Sequence, residues 1–292
     1  MTLPEISIII PCRNEGKNIT LTIDSIIKNK TILKYEIIVV DDGSTDHCCR
    51  NLTSNFPHQK ITLLNSHGQG ACFARNIGAL HARGEYLLFC DAHIFVQPFW
   101  LEKLLVCFNE PGIGIVAPGI SSCQNPSAIG YGFTLNESFG VEWLPAPLQA
   151  APVLIAPGAC ALIPQKIFRE AGGFDQGLRV WGHEDVELSL RYWLLGHQVL
   201  VTPEVTIQHI FREQHPYAIE MKNVYYNYLR IALCHLNPQR IKKLLRLIMD
   251  FPQAEDIISD MMLSDVYLQR QNNLSKRQFD DDWLFRKFLV SF

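Results

Sequence analysis

The sequence predicts an α/β fold with a mostly parallel sheet flanked by helices. Two observations predict it. Short apolar or β-branched runs recur at 6–10, 35–40, 61–64, 86–90 and 113–117, the lengths expected of buried strands. Between them, 17–29, 71–82 and about 98–108 carry apolar residues at helical spacing. Strands alternating with helices imply crossover connections, a largely parallel sheet and helices on both faces.

The run at 6–10 is stopped by Pro11-Cys12-Arg13-Asn14-Glu15, and Ile19, Ile23, Ile26 and Ile27 then share a helix face. The second run ends on Asp41-Asp42-Gly43-Ser44. In the helix at 71–82, Phe73, Ile77 and Leu80 are expected to point to the core. The run at 86–90 ends on Asp91-Ala92-His93. After about 118, Pro, Gly and Ser become frequent through Pro157, which reads as long loops carrying short strands. Regular structure resumes with a strand at 159–163, a helix at 164–171 closed by Gly172-Gly173, and a helix opened by Trp181-Gly182-His183-Glu184-Asp185. Two short strands follow at 199–201 and 205–207, the second running into His209. From about Pro216 the chain reads as helical, with a basic amphipathic stretch at 241–247. That stretch is expected to pack on the main body; the alternative is peripheral contact with a membrane surface.

The 292 residues carry a net charge of −3, so no global basic field favours nucleic acid. No apolar run is long enough for a membrane span, and the N-terminus does not read as a secretory leader. Nine cysteines without zinc-type spacing are expected to be reduced thiols in the cytoplasm. The Gly68-Gln69-Gly70 segment is neither a dinucleotide fingerprint nor a P-loop.

Three groups carry chemistry. Asp91 and His93, two apart at a strand end, point to the same side in extended geometry and suit a divalent cation. His209, ending another strand, is the candidate third ligand. This Asp/His/His set fits Mn²⁺ or another first-row cation, and the diphosphate of a sugar nucleotide needs such charge. Asp42 could accept from a nucleobase N–H, with Pro11 and Arg13 bracketing the ring, and Arg75 could face the diphosphate. A plain turn at 41–44 and a surface ion pair for Arg75 are the competing roles. Glu184 and Asp185 sit where a helix dipole favours ionised carboxylates, so one can serve as general base; simple helix-start electrostatics is the other reading. Trp181 and His183 offer a stacking face and a polar group to a sugar or acceptor.

In combination these segments are recognisable. Ile8-Ile9-Ile10-Pro11-Cys12-Arg13-Asn14-Glu15, Val39-Val40-Asp41-Asp42-Gly43-Ser44-Thr45-Asp46, Ala74-Arg75-Asn76-Ile77-Gly78 and Ala82-Arg83-Gly84-Glu85-Tyr86 resemble the donor-binding half of family-2 glycosyltransferases, which have the GT-A fold. Asp91-Ala92-His93, the Trp181–Glu187 segment and Gln208-His209-Ile210-Phe211-Arg212 with Pro216-Tyr217 are similar to motifs of polypeptide N-acetylgalactosaminyltransferases. The resemblance implies a catalytic domain over 1–215, with a donor half to about 117 and an acceptor half from 118, and a helical extension over 216–292. It implies Asp91, His93 and His209 as ligands of Mn²⁺ (or Mg²⁺). The donor set is then Pro11, Arg13, Glu15, Asp41, Asp42, Gly70, Arg75, Asp91, Ala92, Arg212 and Tyr217, with Trp181 and His183 towards the acceptor.

Asp185 stands where the N-acetylgalactosaminyltransferases have Asn, and a Glu-Asp pair is the feature of inverting family-2 enzymes. The expectation is therefore an inverting, UDP-sugar-dependent transferase with Asp185 as base, acting on a peptide side chain, a glycan or a lipid-linked acceptor. Retention of configuration is the rival. A sugar-nucleotide nucleotidyltransferase would need a Gly-rich basic loop where Pro11–Gly16 stands, and a degenerate binding module would be expected to lose Asp91 or Asp185.

Overall fold

β1 (Ile6–Cys12) is the strand the sheet is built around. Its isoleucines are buried because both faces are covered: Ile9 points into one apolar cluster, Ile8 and Ile10 into the other. β2 (Tyr35–Asp41) pairs with one side of β1 and β4 (Tyr86–Cys90) with the other, both parallel. β3 (Ile61–Asn65) extends the β2 side. The chain therefore changes direction across the sheet at β1, and the carboxyl ends of β1 and β4 open a crevice where ligands of such folds collect. The computed structural model from which this is read describes residues 3–292.

Beyond β4 the sheet is mixed. β11 (Cys160–Pro164) runs antiparallel to both β4 and β6 (Ile113–Ser122), and β12 (Gln198–His209) runs parallel to β6. The full path is β10 (Ala151–Pro152), β12, β6, β11, β4, β1, β2, β3. Two sequence expectations are corrected here. The strand expected to end at 117 continues to Ser122, and the two short strands at 199–201 and 205–207 are one strand with an irregularity between Thr202 and Thr206. The long stretch after 122 does carry short strands: β7 (Ile129–Gly130), β8 (Phe133–Leu135) and β9 (Val141–Trp143).

Helices α1 (Asn18–Lys28), α3 (Ala71–His81) and α4 (Trp100–Leu105) flank the first half, and α2 (Leu52–Asn55) is a single turn that the spacing did not reveal. α3 is turned partly away from the predicted face: Ile77 packs on the core, but the helix presents mainly small residues to it. Leu80 is 79% exposed, whereas Ala74, Gly78 and Ala79 are buried. Small residues let α3 lie close on the sheet: a Cβ on Gly78 would come within 2.4 Å of the Ile9 side chain. The same closeness buries Arg75 beneath the crevice.

α5 (Gln165–Ala171) ends on Gly172 and Gly173, both at positive φ, with N–H groups returning to Arg169 and Phe168 carbonyls. α6 (Glu184–Leu194) is buried along nearly its whole length. α7 (Met221–His235), α8 (Pro238–Met249), α9 (Ala254–Met262), α10 (Val266–Lys276) and α11 (Asp281–Lys287) share one apolar cluster with α6 and the sheet. The basic stretch is within α8. Its Leu244 and Ile248 are buried, Arg240 pairs with Asp281 and Asp282, and the Lys243 ammonium lies over the Phe292 ring. The apolar face of α8 is thus spent on the protein. Among the described residues no helix is long and apolar enough to cross a membrane.

A buried ionic cluster joins α6 to α7. Glu187 accepts from Arg191 at 2.8 Å and contacts His235 Nε2 at 2.8 Å, all three nearly inaccessible. Burial alone would raise the Glu187 pKa, but Arg191 and His235 outweigh it and hold it at about 2. Glu187→Ala should therefore cost about 3–5 kcal/mol of unfolding free energy, because the buried Arg191 guanidinium loses its counter-charge and His235 loses its hydrogen-bond partner. Urea unfolding at pH 7 measures it.

Candidate active site

A cavity of about 440 Å³ lies at the carboxyl ends of β1 and β4, within the range of roughly 300–1,000 Å³ usual for ligand sites. Its floor on the β1 side is Pro11, Arg13, Glu15 and Asp42. Asp42 is almost fully buried, and its carboxylate accepts from Ser66 Oγ (2.6 Å), Gln69 N (2.8 Å) and Gly70 N (3.0 Å). Arg13 stands 3.7 Å from it and lies over the Tyr217 ring. Asp41 and Gly70 stand behind the wall rather than in it. Asp41 accepts from Ser44 N and closes the 41–44 turn, and Gly70 packs on the Val180 backbone at φ +97°.

Asp91, Ala92 and His93 line the next wall. They form a turn between β4 and β5 (Ile94–Phe95), not the extended strand end the i, i+2 argument assumed. Convergence comes from pairing instead. Asp91 N donates to Ala159 O, β5 pairs with the end of β12, and Ile210 N donates to His93 O. These contacts place His209 beside His93, ring centroids 4.5 Å apart, and put His209 Nε2 3.2 Å from Asp91 Oδ2. Asp91, His93 and His209 each offer a ligand atom, all within 4.8 Å of one another. Among the described residues, the buried Nδ1 of His209 has no hydrogen-bond partner, and that of His93 stands 3.2 Å from Glu15 Oε2 without hydrogen-bond geometry. Two imidazoles and a carboxylate at this spacing fit a divalent first-row cation. Burial disfavours the Asp91 carboxylate, but His209, His93 and Arg75 hold its pKa far below the usual range.

Arg75 is a buried bridge, not a surface ion pair. Its Nη1 donates to Glu184 Oε1 at 2.8 Å and its Nη2 to Asp91 Oδ1 at 3.3 Å. Glu184 also accepts from Gly182 N. Asp185, next in α6, lines the cavity, with its two oxygens accepting from Gly158 N (3.0 Å) and Val186 N (2.8 Å). Burial, then the Glu184 charge, raise the Asp185 pKa to about 7. His183 also lines the cavity, packs on Tyr228, and is held neutral by burial, with a pKa of about 4.

The loop ahead of α6 is strained. Val180 and His183 both take positive φ, which a β-branched residue rarely does. Asn227 of α7, fully buried, holds that loop: its side chain accepts from Arg179 N and donates to the Arg179, Trp181 and Gly182 carbonyls. Across the mouth, Arg212 pairs with Glu15, and Asn14 donates to Pro216 O.

Residues 7–172 match the family model "Glycosyl transferase family 2". The chain belongs to glycosyl transferase family 2. It is 31% identical over 273 residues to polypeptide N-acetylgalactosaminyltransferase 8 of Drosophila melanogaster, covering 82% of this chain and 45% of the relative. It is 34% identical over 235 residues to the human polypeptide N-acetylgalactosaminyltransferase 14, covering 74% and 42%. The chain thus spans less than half the length of these two relatives. Its fold is similar to that of GalNAc-T7 with UDP, GalNAc and Mn²⁺, at a TM-score of 0.79 and 21% identity, over 99% of this chain and 57% of that one. The expected GT-A architecture is therefore present.

Sequence reading of this family-2 chain missed the aromatic rim of the cavity. Trp143, 43% exposed, packs on Phe133, while Phe211 lies against the His209 ring. Trp143 sits over Gly130, where a Cβ would come within 2.1 Å of the indole. It belongs to the low-regularity stretch after 118, where no periodicity marked it. Asn227 was hidden by its helical context among tyrosines.

Arg75→Met would leave Asp91 and Glu184 without their shared counter-charge. It should destabilise the protein by about 3–5 kcal/mol, measured by denaturant unfolding, with secondary structure by circular dichroism unchanged at low denaturant.

Proposed function

We propose that the protein is a metal-dependent glycosyltransferase that moves a sugar from a UDP-sugar to an acceptor hydroxyl or thiol. The observation that carries this is the meeting of Asp91, His93 and His209 in the cavity that Arg75 and Asp185 also reach. The names of the relatives, and the UDP, GalNAc and Mn²⁺ of the structural neighbour, support a UDP-sugar donor and a peptide side-chain acceptor.

Asp91, His93 and His209 would hold Mn²⁺, whose charge would offset that on the departing diphosphate. Pro11 and Arg13 would bracket the base and Asp42 would accept from its N–H, with Arg212 and Tyr217 closing from the far side. Arg75 is committed to two carboxylates, so its role is to position Asp91 and Glu184. Glu184 in turn holds Gly182, leaving Asp185 as the free acid of the pair. Asp185 accepts the acceptor proton as the acceptor atom bonds to the anomeric carbon and the bond to the diphosphate breaks on the opposite face. A pKa near neutrality suits that proton transfer. Trp181 and His183 flank the acceptor side. Retention is supported by kinship with the N-acetylgalactosaminyltransferases, and the anomeric configuration of the product by NMR decides between the two. The nine free thiols are consistent with the reducing cytoplasm.

Asp185→Asn should bind UDP as the parent does and lose 10²–10⁴-fold in transfer rate, roughly the worth of a general base. Transfer at the parent rate would remove Asp185 from the mechanism. The raised pKa means Asp185 is protonated below about 7 in the free protein, so kcat/KM should rise with pH through that value. The folded state holds that proton more tightly than the unfolded chain, so its ionisation lowers stability between about pH 4 and 7. Asp185→Asn should lack that decline, visible as a smaller fall in Tm between pH 5 and 8.

His209→Ala should weaken Mn²⁺ binding at least tenfold, roughly the lower bound for loss of a ligand-shell group, by electron paramagnetic resonance titration. Unchanged Mn²⁺ affinity would place the cation elsewhere.

A further inference from the structure

A second cluster of ligating side chains lies just behind the cavity and takes no part in the proposed reaction. Cys12 ends β1; Cys48 and Cys49 lie in the turn ahead of α2. Cys12 and Cys49 are each 2% exposed, and Cys48 is half-buried. Cys12 Sγ and Cys48 Sγ are 3.6 Å apart, Cys48 Sγ and Cys49 Sγ 3.9 Å, and all three sulfurs lie within 4.8 Å of one another. The Ser44 hydroxyl oxygen is 3.5 Å from Cys48 Sγ.

These spacings are those of ligands around one small ion. A tetrahedral Zn²⁺ with Zn–S near 2.3 Å and Zn–O near 2.0 Å puts sulfurs about 3.75 Å apart, and sulfur and oxygen about 3.5 Å apart. We propose that Cys12, Cys48 and Cys49 form a binding site for a soft divalent cation, Zn²⁺ in the first instance, with Ser44 or water in the fourth position. The site is separate from the Asp91, His93 and His209 set and independent of the glycosyltransferase reading.

The chemistry of the two sets differs. Three thiolates select a thiophilic ion, whereas two imidazoles and a carboxylate suit a harder one. Binding replaces three thiol protons, which pass to solvent, and leaves one net negative charge on the complex. Half-buried Cys48 provides the path of entry. Once bound, the ion would tie the end of β1 to the loop that starts at Asp42. Pro11, Arg13 and Asp42 lie on those two segments, so occupancy would stiffen one wall of the cavity.

Co²⁺ is the probe, because thiolate ligands give it a near-ultraviolet charge-transfer absorption that imidazole and carboxylate do not. The reduced full-length chain carrying His209→Ala is titrated, so that the other cation set does not compete. One equivalent of Co²⁺ should give the thiolate absorption, and one equivalent of Zn²⁺ should abolish it. Zn²⁺ should also raise the Tm. Cys48→Ser and Cys49→Ser, each in that background, should bind Co²⁺ at least tenfold more weakly, while Cys123→Ser should match the parent. Cys48 is half-buried, so its variant is expected to fold even if the Cys49 variant does not, and circular dichroism verifies this. Absence of the thiolate absorption in folded, reduced protein overturns the proposal. So does absorption that survives Cys48→Ser undiminished.

Discussion

The site depends on one guanidinium. Arg75 stands between Asp91, at the end of β4, and Glu184, at the start of α6, with almost no access to water. Glu15, Asp91, Glu184 and Asp185 all face one cavity, and so many carboxylates cannot share a partly desolvated space without counter-charge. Arg75 supplies it in the centre and Arg212 supplies it to Glu15, while the His93 and His209 rings stand 3.2 Å from Glu15 and Asp91. Asp185 is not ion-paired: two backbone N–H groups and the nearby Arg75 charge do not outweigh burial and the Glu184 charge, and its pKa rises. The unequal treatment of neighbouring acids sets their proton affinities apart.

Packing around Arg75 follows from this need. α3 presents Ala74, Gly78 and Ala79 to the sheet, so that the helix comes close enough for Arg75 to reach across. α7 supports the opposite side. Asn227 holds the strained loop at 179–182, and the Glu187, Arg191 and His235 cluster fixes α6 beneath it. The C-terminal helices are thus part of the support for the site, which their position late in the chain did not suggest.

Much of the chemistry was readable residue by residue. The parallel pairing of β1, β2 and β4 follows from apolar runs alternating with helices, and Asp91, His93 and His209 stand out as polar residues after such runs. The route to convergence was not readable: Asp91 and His93 lie in a turn, and the pairing of β5 with β12 brings His209 to them. On α3 the larger Phe73, Ile77 and Leu80 were expected inside, but Ile77 packs on the core only partly buried and Leu80 faces out. Close packing rewarded the smaller ones. Trp143 and Asn227 gave no periodic signal, since each acts through a contact with a distant segment.

By itself the sequence determined the alternation of strands and helices, which polar side chains to look for at the strand ends, and membership of a recognisable family. Those are properties of local runs and short motifs. The tertiary structure decided that Arg75 is buried between two carboxylates, that Asp185 differs from Glu184, and that three cysteines from two segments meet behind the cavity. Such facts depend on distances between residues remote in the chain. Folding sets those distances through packing and charge compensation together, and neither leaves a period in the sequence.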